Sequence, residues 1–291
     1  MKDLKQITVM GLGLLGGSIT LAILRSLPGV KVVGYSHRPA TRLRARRRGL
    51  ATKIVDDMGD SVAEADLVIL ATPIRAFERT FEAIADALPG GSIVTDVGST
   101  KVLPHRWAGK KLPKTVHYVG SHPVAGSEQR GLEFARADLF DRTTCILTTT
   151  KKTNRRAVQI LKRFWSDLGC SVKLMSPARH DRILADVSHL PHAAAVALMN
   201  AIGSGELKFA GTGLTDTSRV ASGPANIWTD VLLTNAANIG KSIDKIIVEL
   251  SRLRKAIENQ DDKQIRKLLE AARHKREALI NCKTARNKPV S

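Results

Sequence analysis

Short apolar segments alternate with amphipathic segments over the first 176 residues of the chain. Seven segments have the length and the Val, Ile and Leu content of buried strands: residues 6–11, 30–35, 65–72, 91–98, 116–120, 144–150 and 171–175. Amphipathic stretches such as residues 75–88 and 154–169 lie between most of them. The alternation predicts a mainly parallel sheet with helices on both faces, in an α/β domain over residues 1–176.

The strand pattern ends at Ser176, and helical patterns follow. Three helices are predicted there, over residues 176–203, 235–260 and 261–281. Ser176 is placed to cap the first of them, with Pro177 at its first position and Pro191 as a candidate kink. We therefore expect an all-α second domain over residues 177–291. Long helices with apolar stripes often pack against a second subunit, so a homodimer is expected.

A glycine fingerprint joins the first strand to the first helix. In Gly11-x-Gly13-x-x-Gly16, the first glycine permits a tight turn, the second lets a pyrophosphate approach the backbone, and the third lets helix and strand pack closely. Leu14 and Leu15 open the helix, whose amides and dipole favour phosphate groups. The fingerprint predicts a Rossmann-type, doubly wound domain that binds a dinucleotide.

The ends of two further strands bear on the cofactor. An acidic residue usually follows the second strand in NAD enzymes, but Ser36 stands there, followed by His37 and Arg38. A guanidinium can pair with a 2′-phosphate, so we favour NADP over NAD. Thr72 and Pro73 end another strand at the edge that the cofactor crosses, and we expect them to contact it.

Composition narrows the class of protein. The formal net charge is +19, and six arginines fall within residues 38–48. Only 4% of residues are aromatic and no nucleic-acid motif is present, so this charge favours anionic metabolites over nucleic acid. Three scattered cysteines show no metal-ligand spacing. No apolar run approaches the ~18 residues of a membrane span, and no signal peptide is evident. We expect a cytoplasmic protein without a metal.

Two polar residues are predicted at the carboxyl ends of strands, where ligands of such sheets bind. Ser99 follows residues 91–98, and His122 follows residues 116–120 in a glycine-rich loop over residues 120–131. An imidazole titrates near neutrality, which suits His122 to act as a general base beside the nicotinamide. In the helical half, Arg219 stands in a Gly- and Thr-rich segment and is suited either to clamp a substrate carboxylate or to form a structural salt bridge.

Five segments together resemble the prephenate/arogenate dehydrogenase family: "GLGLLGGS", "DVGSTK", "GSHPVAGSEQRG", "VSHLPH" and "GLTDTSRVASGPANIWTD". They run in family order from about residue 7 to residue 231. The resemblance implies an N-terminal Rossmann domain, a helical domain that builds a dimer, and a site between them. It implies an oxidoreductase of tyrosine biosynthesis.

The same resemblance implies site residues. His122 corresponds to the histidine that accepts the proton of the substrate's ring hydroxyl, and Ser99 to the serine that hydrogen-bonds that hydroxyl. Arg219 corresponds to the arginine that binds a substrate carboxylate, with His189 helping to hold the substrate.

Two further positions follow the family pattern. Trp228 corresponds to an aromatic position near the site, contributed across the dimer, and Asp216 to an acidic residue that positions the arginine. Family members more often carry Phe-Arg before that aspartate, where this chain has Leu214 and Thr215. This departure leaves the recognition of the substrate side chain open.

We interpret the chain as a prephenate dehydrogenase, with arogenate as the alternative substrate. A β-hydroxyacid dehydrogenase would carry a catalytic lysine on the first long helix of the second domain, and residues 180–192 contain none. A cofactor-binding sensor without catalysis would show a degraded site, whereas Ser99, His122, His189 and Arg219 are all present.

Overall fold

A computed structural model describes residues 4–125, 129 and 131–286 of the chain, with side chains as far as residue 281. The strands are β1 Gln6–Met10, β2 Lys31–Tyr35, β3 Lys53–Val55, β4 Leu67–Leu70, β5 Ile93–Asp96, β6 His117–Tyr118, β7 Gly120–Val124, β8 Thr144–Thr148 and β9 Ser171–Met175. The helices are α1 Leu14–Ser26, α2 Pro39–Arg47, α3 Met58–Val62, α4 Phe77–Ile84, α5 Val102–Lys111, α6 Arg155–Asp167, α7 Pro177–Leu184, α8 Leu190–Ala201, α9 Thr212–Ser218, α10 Ala225–Thr234, α11 Ala236–Glu258 and α12 Asp262–Arg286.

Six parallel strands form the main sheet, in the order β3-β2-β1-β4-β5-β6. The order reverses between β1 and β4, which is the crevice where doubly wound sheets bind ligands. The predicted α/β domain followed by helices is confirmed. The sequence pattern missed β3, because this edge strand has only three residues and begins with the exposed Lys53.

A second sheet begins where one strand was expected. Residues 116–120 are not a single strand: they divide between β6 and β7, and the latter pairs antiparallel with β8, which pairs parallel with β9. The Ser121 hydroxyl joins the sheets, since it lies 2.6 Å from Thr95 Oγ1 of β5 and accepts a hydrogen bond of 3.1 Å from Trp165 Nε1 of α6.

Alternating side chains of the main sheet supply two apolar cores. Ile7 and Val9 of β1 face one core with Trp165, whereas Met10 faces the other with Phe77. Because successive side chains of a strand point to opposite faces, helices cover both sides of the sheet.

The helix predicted over residues 176–203 is interrupted. Ser176 caps it as expected, because its hydroxyl accepts the amide of the residue three positions later, and Pro177 is its first residue. A π-helical turn over Ala185–His189 then separates α7 from α8. Pro191 lacks an N–H group and cannot complete a regular helical ladder, which accounts for the interruption beside it.

The chain divides into two compact units, one ending at Asn238 and one beginning at Ile239. The domain boundary expected at residue 176 stays a prediction. Within the described residues, no helix is long and apolar enough to cross a membrane. Residues 126–128 and 130 of the expected glycine-rich loop lie outside the described residues.

Candidate active site

The first and third glycines of the fingerprint, Gly11 and Gly16, are fixed by close contacts between the end of β1 and the start of α1. Gly11 has a φ of +100°, and a Cβ there would lie 2.5 Å from the carbonyl oxygen of Ala71. Its amide donates to the carbonyl of Tyr35 at 2.8 Å, which ties the turn to β2. A Cβ on Gly16 would overlap the carbonyl oxygen of Gly11. Both positions therefore require glycine.

The second glycine of the fingerprint, Gly13, leaves room for a ligand. A Cβ on Gly13 would meet nothing within 4 Å, so the turn is open at the point where a pyrophosphate would approach. Leu14 and Leu15 begin α1, whose first turn has neither a side-chain cap nor an acidic residue. Nearby at the end of β4, Thr72 Oγ1 is buried without a hydrogen-bond partner in the described part of the chain, and Pro73 is exposed. These features fit a dinucleotide.

Ser36, His37 and Arg38 follow the end of β2, where an acidic residue would stand in many NAD enzymes. Ser36 is buried and its hydroxyl accepts the amide of Arg38 at 3.4 Å, while His37 and Arg38 are exposed. Arg42 donates to the carbonyl of Ser36 and to Asp56, each at 2.6 Å. The carboxylate of Asp56 is thus already paired, with Arg42 and with Arg46.

His122 lies in strand β7, not in the loop expected for it. Its partner across the ladder is Ile146 of β8, and the side chain is half-buried. His122 Nδ1 lies 2.8 Å from Nε2 of His180, and His180 Nδ1 lies 2.7 Å from Oδ1 of Asp181. The base candidate is therefore connected through a second imidazole to a buried carboxylate. Neither member of that α7 pair was among the residues expected in the site.

Both imidazoles are neutral near pH 7. Burial lowers the pKa of His122 well below its usual range, and His180, Lys101 and His189 lower it further. The pKa of His180 falls to about 2, chiefly through burial and then through the charge of Lys101. A neutral His122 is able to accept a proton.

Asp181 also binds the loop that carries Ser99. Its Oδ1 accepts the amide of Lys101 at 2.7 Å, and its Oδ2 accepts the amide of Val102 at 2.9 Å. Ser99, half-buried, stands two residues before the first of these amides. The carboxylate therefore links the two segments that carry Ser99 and His122.

His189 continues the network toward α10. Asn235 Nδ2 donates to the carbonyl of Asp181 at 2.7 Å and lies 3.2 Å from His189 Nδ1. Burial lowers the pKa of His189 to about 4. Its Nε2 is buried and has no partner among the described residues, so one polar atom is left for a ligand.

Trp228 packs against two histidines of the same chain. Its ring stacks on His192 with centroids 3.5 Å apart and meets His189 edge-on at 6.3 Å. Arg219 and Asp216 lie nearby in sequence and are exposed, the first in a 3₁₀ turn over Arg219–Ser222 and the second in α9. The network from His122 thus reaches His189 and Trp228.

Two sequence profiles match consecutive parts of the chain. The profile described as the prephenate dehydrogenase nucleotide-binding domain matches residues 19–174, and the one described as the prephenate dehydrogenase dimerization domain matches residues 176–271. Together they cover most of the described chain.

Individual relatives agree with the profiles. A cyclohexadienyl dehydrogenase of Zymomonas mobilis is 35% identical over 287 residues, which cover 96% of this chain and 97% of that protein. The crystal structure of prephenate dehydrogenase from Aquifex aeolicus with hydroxyphenyl propionate and NAD+ is similar at a TM-score of 0.89 and 31% identity, covering 94% of this chain and 98% of that one. The crystal structure of Synechocystis arogenate dehydrogenase is similar at a TM-score of 0.81 and 29% identity, and the match covers 94% of this chain and 99% of that one.

Proposed function

The chain belongs to the prephenate dehydrogenase family of NAD(P)-dependent oxidoreductases, and we propose that it converts prephenate to 4-hydroxyphenylpyruvate by oxidative decarboxylation. The observation that carries the proposal is the hydrogen-bonded connection from His122 through His180 to the buried carboxylate of Asp181, which also binds the loop that carries Ser99. Arogenate is the alternative substrate, since it differs only in carrying an amino group in place of the side-chain keto group. Relatives named for each substrate support the shared chemistry.

In this proposal the reaction removes a hydride and a proton from the ring carbinol. NAD(P), held at the turn over residues 11–16, would supply the hydride acceptor. His122 takes the hydroxyl proton, and Ser99 hydrogen-bonds the same oxygen and keeps it directed at the imidazole. Loss of carbon dioxide then makes the ring aromatic, with the electron pair of the broken carbon–carbon bond entering the ring and the oxygen recovering a proton. The aromatic product makes the step effectively irreversible.

The substrate carries two carboxylates, which need donors. Arg219 is proposed to bind one of them, because a guanidinium can hold a carboxylate through two parallel hydrogen bonds. Asp216, three residues earlier, is proposed to position that arginine. His189 Nε2, which has no partner among the described residues, is proposed to bind the substrate. The indole of Trp228, stacked on His192 and edge-on to His189, is proposed to contact it as well.

NADP is the proposed cofactor in preference to NAD. Support comes from Ser36 at the position of the usual carboxylate and from the exposed side chains of His37 and Arg38. A 2′-phosphate there would meet cations and the N-terminus of α2, which has no acidic residue in its first turn.

A cytoplasmic homodimer is the proposed form of the enzyme. The profile for residues 176–271 is that of a dimerization domain. Within α11, the large apolar side chains of Ile247, Leu250 and Ile257 are more than half exposed, which is expected of a helix that a second subunit covers.

An activity assay on the purified protein tests the proposal. Prephenate and arogenate are each combined with NAD and with NADP, and reduced nicotinamide is followed by its absorbance. We expect the strongest turnover with prephenate and NADP, and a decrease in kcat of about 10²–10⁴-fold in His122→Asn with cofactor affinity nearly unchanged. Absence of turnover in all four combinations, with NADP still bound, would refute the proposed reaction and leave the fold unaffected.

A further inference from the structure

His180 is a fully buried imidazole for which the proposed reaction has no direct use. It lies on α7, far from His122 in sequence, yet its two ring nitrogens are both engaged: Nε2 with His122 at 2.8 Å and Nδ1 with Asp181 at 2.7 Å. The ring nitrogen of His180 that carries the proton determines which nitrogen of His122 can accept a proton. The hydrogen-bond donors around Asp181 identify that nitrogen.

Asp181 acts as an acceptor in this arrangement. Each of its oxygens already receives a backbone amide, Oδ1 from Lys101 and Oδ2 from Val102. An ionised carboxylate has no proton to donate, so the third contact, with His180, requires an N–H on the imidazole. Burial raises the pKa of Asp181, but both amide bonds and the charge of Lys101 oppose that rise and favour the carboxylate. His180 therefore carries its proton on Nδ1.

The state of His122 follows from that of His180. A neutral imidazole has one N–H, so Nε2 of His180 holds only a lone pair and can only accept. The 2.8 Å contact is then a hydrogen bond from the Nδ1–H of His122. With its proton on Nδ1, His122 presents an unprotonated Nε2.

We propose that His180 and Asp181 are positioning residues that hold His122 as its Nδ1–H tautomer, so that Nε2 accepts the proton of the substrate hydroxyl. The use of Nε2 rests on the proposed function; the tautomer does not. The logic resembles that of a Ser-His-Asp triad, in which a buried carboxylate selects the tautomer of the base. Here a second imidazole transmits the selection, which extends the reach of the carboxylate from α7 to β7.

Nitrogen NMR of histidine-labelled protein without substrate tests the tautomer directly. The His122 signals are identified by their loss in His122→Asn and are read at a pH where the ring is neutral. We expect protonated Nδ1 and unprotonated Nε2 in the unsubstituted protein. A His122 ring protonated on Nε2 would overturn the proposal, and this measurement requires no substitution at His180.

Variants then separate positioning from packing. In His180→Phe, which removes the acceptor, the Nδ1–H share of His122 should fall and kcat should decrease by about 10–100-fold. In His180→Gln the side-chain oxygen can still accept the hydrogen bond from His122, so the Nδ1–H share of His122 and kcat should both be partly restored. His105→Gln is the matched control, because His105 is another largely buried imidazole but bonds Thr148 Oγ1 instead of His122.

The outcomes distinguish this proposal from the proposed function. If the tautomer is as expected and the unsubstituted protein turns over neither substrate, the assignment stands and the proposed function fails. If His180→Phe shifts the tautomer without lowering kcat, His180 is not a positioning residue. The same conclusion follows if His180→Gln has the same Nδ1–H share of His122 and the same kcat as His180→Phe.

Discussion

The ammonium of Lys101 lies 2.5 Å from Oδ1 of Asp96, and both side chains are fully buried. Every polar atom of the pair has further partners: Lys101 donates to the carbonyl of Gly98 at 2.7 Å, and the second oxygen of Asp96 accepts the hydroxyl of Tyr118 at 2.6 Å. The pair thus closes the loop between β5 and α5, and Ser99 stands inside this closed loop.

Replacing Lys101 should destabilise the fold strongly. Lys101→Met leaves the Asp96 carboxylate buried without its cation, and breaking a buried pair in this way typically costs about 3–5 kcal/mol of unfolding free energy. Urea unfolding measures the change. Lys111→Met removes an exposed pair with Glu82 and should have little effect. Equal midpoints for the two variants would show that the buried pair does not stabilise the loop.

The sequence correctly predicted the parts of the site that depend on local backbone conformation. Gly11 and Gly16 are readable because no other residue fits their turn, and the strand alternation around them fixes the sheet. Ser99 and His122 were recognisable from their places after predicted strands, although the second proved to lie within one. His122 was expected in a loop because its pairing with Ile146 of β8 joins residues distant along the chain, and such pairing leaves no local sequence pattern.

His180 and Lys101 show what a single sequence does not reveal. His180 meets His122 across 58 positions of chain, and neither residue's neighbours signal that contact. The one available hint was the adjacent His180-Asp181 pair on a helix that Ser176 caps, which reads equally well as an exposed polar turn. Lys101 ends the segment DVGSTK over residues 96–101, but its burial depends on the packing of Tyr118 and α7.

Activity should persist at unusually low pH for a histidine base. Burial, His180, Lys101 and His189 hold the pKa of His122 well below its usual 6.5, so the neutral, proton-accepting form is present above that lowered value. The kcat/KM for prephenate should stay level as the pH falls through 6.5 and decrease only at lower pH. A pH series with buffers of constant ionic strength measures this. A midpoint at or above 6.5 would contradict the role assigned to His122.

Arg219→Ala should weaken substrate binding more than it slows turnover. Losing a charge-assisted bond to a carboxylate corresponds to an increase in KM of about 10–100-fold. Arg79→Ala, at an exposed position of α4, removes the same charge from the protein and is the matched control. Because both variants lower the net charge equally, a similar KM in the two would attribute the effect to overall charge and remove Arg219 from the site.

Ser36→Asp should shift the cofactor preference toward NAD. A carboxylate at the end of β2 repels a 2′-phosphate and can accept from a ribose hydroxyl, so the ratio of kcat/KM for NADP to that for NAD should fall by about tenfold or more. Ser36→Asn introduces a side chain of the same shape without charge. If the two variants change the ratio alike, the shape of the buried position, and not its charge, determines the preference.

Acid should unfold this protein through histidines whose charged form is disfavoured in the folded state. Five histidines have a lowered pKa in the folded state, with burial as the largest cause: His105, His122, His180, His189 and His192. Below pH 6.5 the unfolded chain binds protons at these histidines, whereas the folded chain does not. The free energy of unfolding that is present above pH 6.5 is therefore lost as the pH falls toward 4, where His105 and His189 titrate in the folded state. The raised pKa of Asp181 opposes this loss only in part.

Each such histidine contributes about 1.4 kcal/mol per pH unit to the slope of stability against pH. Urea unfolding at fixed protein concentration, repeated between pH 7.5 and pH 5, should therefore show a steep fall in the free energy of unfolding. His105→Gln keeps a hydrogen-bond partner for Thr148 and removes one titrating group. The slope of its unfolding free energy against pH should therefore be smaller by the contribution of about one bound proton. A free energy that does not change over this range would mean that the folded protein binds protons at these imidazoles as readily as the unfolded chain does.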